Sequence, residues 1–135
     1  MRKNNSSFTL IEIIVVIIII GIIAGMGVPG FMKTKYNVLS KEAVSNIKLI
    51  AAAEKIYKME SSNNAYMACS SATNCNSVLK LDLTAANWQY RAQLTGGVIT
   101  IYATLASNPN CYYTLSSSNF NAAPQKSSGC PAGME

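Results

Sequence analysis

Residues 8–30 read FTLIEIIVVIIIIGIIAGMGVPG, an almost uninterrupted apolar stretch. From Phe8 to Val28 the only charged side chain is that of Glu12. A helix over these residues would be about 31 Å long, close to the thickness of the hydrocarbon core of a bilayer. The sequence therefore predicts an apolar helix that can span a membrane.

The residues around this stretch set its orientation and leave other interpretations open. Arg2 and Lys3 precede it, and basic residues before an apolar segment favour a cytoplasmic N-terminus. The rest of the chain would then cross the membrane. A cleaved secretory signal peptide is one alternative, with Ala24, Gly25 and Gly27 as the small residues at its end, although its apolar part usually has about 7–15 residues. A plain single-pass anchor is another alternative.

Glu12 distinguishes these interpretations. An acidic residue at the centre of a membrane helix costs about 2.5–3.5 kcal/mol on insertion scales, and less near the helix end. If the chain is cut before Phe8, the new α-amino group lies four residues from Glu12, on the same helix face. Glu12 of one copy could then neutralise the amine of the next copy when such helices pack together. The simpler alternative is that Glu12 stays hydrated at the level of the headgroups.

The stretch from Ser7 to Pro29 resembles the N-terminus of type IV pilins and of the related pseudopilins. The FTLIE core, Gly21 and Pro29 match that family in spacing, although the family usually has glycine where this chain has Ser7. The resemblance implies that a prepilin peptidase cuts between Ser7 and Phe8 and methylates the new amine of Phe8. It also implies a leader over 1–7, a hydrophobic transmembrane and polymerisation helix over 8–30, and an amphipathic helix with a globular domain over 31–135.

The resemblance also implies where the protein goes and what it meets. The precursor would lie in the cytoplasmic (inner) membrane with its C-terminal domain outside the cytoplasm. An assembly platform would then polymerise it with copies of itself into an extracellular pilus filament, in which Glu12 sets the register. The expected partners are therefore other copies of the chain, the peptidase, the platform and, before assembly, the membrane.

Gly21, Gly25 and Pro29 predict a weak point in the apolar helix. Each glycine costs a solvated helix about 1 kcal/mol relative to alanine, and proline removes a backbone donor. In the family this stretch can unwind during assembly. The alternative is close helix packing in the membrane, where small residues and proline are tolerated.

After Pro29 the pattern becomes that of an amphipathic helix, from about Phe31 to Glu60. The apolar stripe predicted to face a core consists of Tyr36, Leu39, Ala43, Ile47, Ile50, Ala51 and Tyr57. The predicted solvated side consists of Lys33, Lys35, Lys41, Lys48, Lys55 and Lys58, with Glu42, Glu54 and Glu60 interspersed.

The rest of the chain predicts an α+β domain in which this long helix packs on a small antiparallel sheet of about three strands. Ser61–Ser77 is rich in Ser and Asn and predicts a loop, followed by a short helix or turn at about Val78–Ala86. Three strands are predicted over 88–94, 98–105 and 111–115, joined by turns at Gly96-Gly97 and Asn108-Pro109-Asn110. The tail, 116–135, reads as mostly irregular.

The four cysteines predict disulfides in an exported protein, where three pairings are possible. We favour Cys111–Cys130, which would hold the tail on the last strand, together with Cys69–Cys75. A four-cysteine zinc site is the alternative, but the cysteines of such sites usually come in closely spaced pairs, and the cysteines of this chain do not.

The composition gives no support for an enzyme or for a cofactor. The chain has no histidine. Loss of Arg2 and Lys3 with the leader would lower the formal net charge from +5 to +3, which is too mild to predict specific nucleic-acid binding. The main functional expectation is therefore a structural subunit of a type IV pilus. One alternative is a pseudopilin of a type II secretion or DNA-uptake system. In the family that the chain resembles, major pseudopilins of type II secretion often carry an acidic calcium site near the C-terminus. This tail offers only Glu135, which argues against that member of the family. The other alternative is a membrane-anchored binding module that never polymerises.

Overall fold

The computed structural model describes residues 9–134, except for the side chains of residues 26–29. One long helix, α1 (Leu10–Glu60), is followed by a short helix, α2 (Ala72–Leu79), and a four-stranded antiparallel sheet. The strands are β1 (Trp88–Thr95), β2 (Val98–Leu105), β3 (Asn108–Ser116) and β4 (Gln125–Lys126), in the order β1-β2-β3-β4, and a 3₁₀ turn at Ser117–Asn119 follows β3. The expected long helix on a small antiparallel sheet is confirmed.

The second half of α1 packs across the sheet through the predicted apolar stripe. Ala43, Ile47, Ile50 and Ala51 are buried, and Tyr36, Leu39 and Tyr57 are partly buried against the same core. Five of the six lysines on this helix are exposed, while Lys58 is half-buried with its Nζ 4.4 Å from the ring centre of Tyr66. The period of 3.6 residues therefore separates a face on the sheet from a face in solvent.

The inner face of the sheet alternates as a half-buried sheet should. Trp88, Tyr90 and Ala92 are buried on β1, while Gln89 and Arg91 between them are exposed. The predicted hairpin at Gly96-Gly97 is confirmed, and both glycines have positive φ, +58° and +80°. Such a two-residue turn needs that left-handed backbone, which glycine adopts without steric cost.

Polar contacts fix the position of α1 along the sheet. The indole Nε1 of Trp88 donates to the carbonyl oxygen of Leu39 at 3.0 Å, and Asn46 Nδ2 donates to the Tyr90 hydroxyl at 2.8 Å. The hydroxyls of Ser40 and Tyr113 are also 2.8 Å apart and buried. Each of these bonds satisfies a polar group that burial would otherwise penalise, so sliding the helix would leave such groups unpaired.

Three predicted boundaries are wrong. The predicted loop over 61–77 contains α2, which Ser71 begins by accepting the N–H of Asn74 and which buries Ala72, Cys75 and Leu79. The short helix or turn predicted over 78–86 is therefore displaced, because α2 ends at Leu79. Strand β3 begins at Asn108 rather than at residue 111, because Ala106-Ser107 form the turn and Leu105 already pairs with Asn108, with a register shift at Thr104/Leu105.

The tail is more ordered than its composition suggests. Strand β4 pairs with β3 over two residues only, and Ser127 continues the contact through its N–H to the carbonyl oxygen of Tyr112. The structure contains the disulfides Cys69–Cys75 and Cys111–Cys130, so the tail is held covalently to the inner side of β3. Met134 at its end is fully buried.

Candidate assembly interface

The first half of α1 extends away from the domain with its apolar side chains uncovered. Leu10 is 78% exposed and Ile17 is 63% exposed, and every residue from Thr9 to Gly25 is exposed. A contiguous apolar surface of this size marks a site that lipid or protein must cover. By length and composition α1 could cross a membrane. The hydrophobic effect therefore drives this half either into a bilayer or against other chains.

Glu12 lies in the first turn of this exposed helix. Its Oε2 accepts a long hydrogen bond, 3.5 Å, from the hydroxyl of Thr9, and the positive end of the helix dipole favours a carboxylate there. Ser7 and Phe8, the predicted cut site and methylation site, lie outside the described residues. The pairing of Glu12 with a neighbouring amine therefore stays a prediction.

The predicted weak point is helical in the monomer, because α1 runs without a break from Leu10 to Glu60. At both Gly21 and Gly25, a Cβ atom would meet nothing within 4 Å, so packing within one chain does not require glycine there. The side chain of Pro29 lies outside the described part of the chain. Weakness of the helix at these residues therefore stays a prediction, and their small size remains available for a close neighbour.

The four cysteines are all in disulfides, which excludes the zinc alternative. Among residues 9–134 no group of three or more His, Cys, Asp or Glu side chains could hold a metal ion.

A cleft of about 820 Å³ lies on the face of the sheet that α1 does not cover. Its floor includes Gln89, Arg91, Tyr102 and Tyr112, and the Arg91 guanidinium is 4.6 Å from the ring centre of Tyr102. Arg91 and Tyr102 are cross-strand partners, so this contact reinforces the pairing of β1 with β2. Contacts made through the outer side of α1 would leave this opposite face of the sheet open to solvent.

The prediction that Glu54 belongs to the solvated side of α1 is wrong. Its side chain is fully buried, and Oε2 accepts the N–H of Met67 at 3.0 Å, whereas Oε1 has no hydrogen-bond partner within the described residues. Burial raises the pKa of this carboxyl above its ordinary value of 4.5, and the Met67 hydrogen bond partly offsets the rise. Glu54 lies seven residues after Ile47 and four after Ile50, so the spacing of the stripe was the signal for its burial.

Replacing Glu54 with glutamine should stabilise the domain at neutral pH. A carboxyl whose pKa is higher in the folded state than in the unfolded state loses stability as the pH rises through that folded pKa. Glutamine can keep the bond to Met67 without the buried charge. We expect the midpoint of thermal unfolding to rise by about 4 °C at pH 7.5, the shift that 1 kcal/mol gives in a small domain.

The pH dependence of this gain provides its control. As the pH falls below the ordinary pKa of 4.5, both states of the wild-type protein protonate Glu54 and the gain should disappear. Glu42→Gln, at a carboxylate that accepts a hydrogen bond from Asn87 at the surface, should show no such gain. A gain of the same size at every pH would mean that ionisation of Glu54 is not its cause.

Known proteins are similar to this chain in its N-terminal part, which contains the apolar helix. A family model described as the prokaryotic N-terminal methylation motif matches residues 2–28. The chain is 40% identical over 65 residues to the type II secretion system core protein G of Aeromonas hydrophila. The aligned segment covers 48% of this chain and 44% of that protein. It is 45% identical over 65 residues to the protein of the same name from Pseudomonas aeruginosa, with the same two coverages.

A match of similar extent joins the chain to a pilin. It is 39% identical over 59 residues to the type IV major pilin protein PilA of Myxococcus xanthus, covering 44% of this chain and 27% of the pilin. The chain thus spans less than half the length of these relatives, and no solved structure matches it. The chain therefore carries the N-terminal methylation motif of the prepilin family on its protruding apolar helix, and its N-terminal part is similar to pseudopilins and to a pilin, which are structural proteins and not enzymes.

Proposed function

We propose that this chain is a structural subunit that polymerises through the apolar half of α1. The observation that carries the proposal is the continuity of α1: one helix is bare from residue 10 to residue 25 and then packs on the sheet. A bilayer covers the bare half before assembly. Because lipid tails and apolar side chains are similarly hydrophobic, the helix can exchange lipid for neighbouring helices at little cost in hydrophobic free energy.

Processing prepares the chain for this exchange. A prepilin peptidase cuts between Ser7 and Phe8 and methylates the Phe8 amine while the precursor is in the cytoplasmic membrane. The amine then pairs with Glu12 of a neighbouring copy on the assembly platform. Since an unpaired charge buried among apolar helices costs several kcal/mol, this pairing fixes the register of neighbours.

The assembly that we favour is a pseudopilus of the type II secretion kind. Most of the matched relatives carry the name type II secretion system core protein G. A surface pilus is the second candidate, and the match to the Myxococcus xanthus pilin favours it. A pseudopilus of a DNA-uptake system would use the same subunit chemistry.

Intact-mass measurement and N-terminal sequencing of the protein in the cells that make it should find a chain that begins at methylated Phe8. The methylated chain should be recovered in filaments that shear off the cells or that form when the chain is overproduced. As a control, Ser7→Leu should block the cut, since the leucine side chain is far larger than serine. A wild-type chain that keeps Met1 and stays in the membrane as a monomer would support the non-polymerising anchored module instead.

Deletion of the gene would separate the two kinds of assembly. A secretion pseudopilus predicts that secreted enzymes accumulate in the periplasm while surface fibres stay normal. A surface pilus predicts loss of sheared fibres while secretion stays normal.

A further inference from the structure

The side of α1 that faces away from the sheet carries apolar residues that its own domain leaves open. Leu49 and Ile56 are 46% and 53% exposed. Together with Val78 and Leu81 they line a groove of about 440 Å³ between α1 and the segment around the end of α2, which we call the α1–α2 groove. Glu60 and Lys80 also line this groove, and the structure gives the Glu60 carboxylate no ion pair or hydrogen bond among the described residues, with Lys80 or with any other group.

An exposed surface that is complementary to the α1–α2 groove lies closer to the N-terminus of α1. Phe31 is 69% exposed, and its position is 18 residues, or five turns, before Leu49, so both lie on one side of α1. Lys35 is one turn beyond Phe31 and exposed. Lys33 instead lies over the tail of its own domain, since its Cγ would be 3.6 Å from a Cβ at Gly133. Lys35 is therefore the cation that accompanies Phe31 on this side.

We propose that the α1–α2 groove binds Phe31 of a second copy, with Lys35 of that copy beside Glu60. The proposal rests on the polymerisation proposed above and specifies which surfaces meet. Both helices run in parallel, because all copies enter the membrane with the same orientation. The pairs Phe31–Ile56 and Lys35–Glu60 then share one offset of 25 residues, which is an axial shift of about 37 Å.

The same offset also covers apolar surface farther along the helices. It places Ile13, which is 48% exposed, beside Val38, which is 60% exposed. The groove contact is therefore continuous with the interface of the bare half of α1. Because residue 31 of one copy meets residue 56 of the next, the contact is head-to-tail and can repeat without closing, as a filament requires.

Charge reversal in the full-length chain tests the ionic part of this contact. Lys35→Glu and Glu60→Lys should each lower the yield of sheared filaments about tenfold, since each places like charges together. The double variant restores the pair in reverse and should return the yield to within about twofold of wild type. A double variant that assembles no better than the single variants would overturn the Lys35–Glu60 pairing.

Cross-linking tests the register directly, because the four native cysteines are occupied and a new thiol is chemically distinct. Filaments of a variant with both Phe31→Cys and Ile56→Cys, treated with a short bismaleimide, should give a ladder of dimers, trimers and larger species. Cells that express the two single-cysteine variants together should give dimers but no ladder. The control pairs Phe31→Cys with Lys48→Cys, at an exposed position off the apolar side, and should stay monomeric.

The outcomes separate this proposal from the one on which it rests. Filaments that form normally, yet show no ladder through residues 31 and 56 and no rescue by charge reversal, would overturn the groove contact and leave polymerisation standing. A wild-type chain that forms no filament under any condition would overturn both.

Discussion

Replacing Glu12 with glutamine should reduce the filament yield at least about 100-fold while processing continues. The substitution keeps the shape of the side chain but removes the charge that would neutralise the Phe8 amine of a neighbour. Loss of one partner of a buried ion pair costs about 3–5 kcal/mol, and each 1.4 kcal/mol is about tenfold in an equilibrium constant. Quantitative immunoblotting of sheared or overproduced filaments measures the yield.

The effect should be specific to assembly. The variant should still begin at methylated Phe8 and should enter the membrane at least as well as wild type, because it carries one charge fewer into lipid. Glu42→Gln makes the same chemical change on α1 beside the domain, and it should assemble normally. If the Glu12→Gln chain assembled at the wild-type level, Glu12 would be only a hydrated residue at the headgroups.

Removing the Cys111–Cys130 disulfide should cause the largest loss of domain stability. It closes a segment with a sequence separation of 19, and a loop of this length contributes about 3 kcal/mol in the chain-entropy model. We expect the double substitution Cys111→Ala and Cys130→Ala to lower the midpoint of thermal unfolding by about 12 °C or more. Circular dichroism of the full chain in detergent measures this midpoint.

The second disulfide provides a matched comparison. Cys69–Cys75 has a separation of only 6, for which the same model gives about 2 kcal/mol. Its removal should therefore lower the midpoint less. Limited proteolysis should cut the tail first in the Cys111/Cys130 variant, because β4 pairs over two residues only. Equal losses in the two double variants would show that loop length does not govern the contribution of these bonds.

Several elements could be predicted from the sequence because their signals are local. The apolar stretch after Phe8 has the length of a membrane helix, the stripe through Ala43 and Ile50 has the period of an α-helix, and Gly96-Gly97 is a hairpin signal between two strand patterns. Helix α1 and the first hairpin accordingly have nearly the predicted bounds.

The elements that the sequence does not predict depend on tertiary contacts. Helix α2 has eight residues, too few to be stable alone, and it forms where Cys75 is tied to Cys69 and buried against the core. Strand β4 has two residues and no periodicity, and it forms where the disulfide and Ser127 hold the tail on β3. Glu54 lies on the apolar stripe, but its charge predicts a solvated side chain. Its burial requires the segment around Met67 to fold over it, and the local sequence does not predict that contact.

The sequence alone predicts a membrane-length apolar helix with one carboxylate near its start, joined to an amphipathic helix and a small sheet. These features follow from composition and short-range periodicity, which act before the chain folds. Which sides of α1 stay open follows from the folded structure, because exposure depends on what the sheet, α2 and the tail cover. The tertiary structure therefore showed Leu49, Ile56 and Glu60 to form an open groove and Glu54 to be buried.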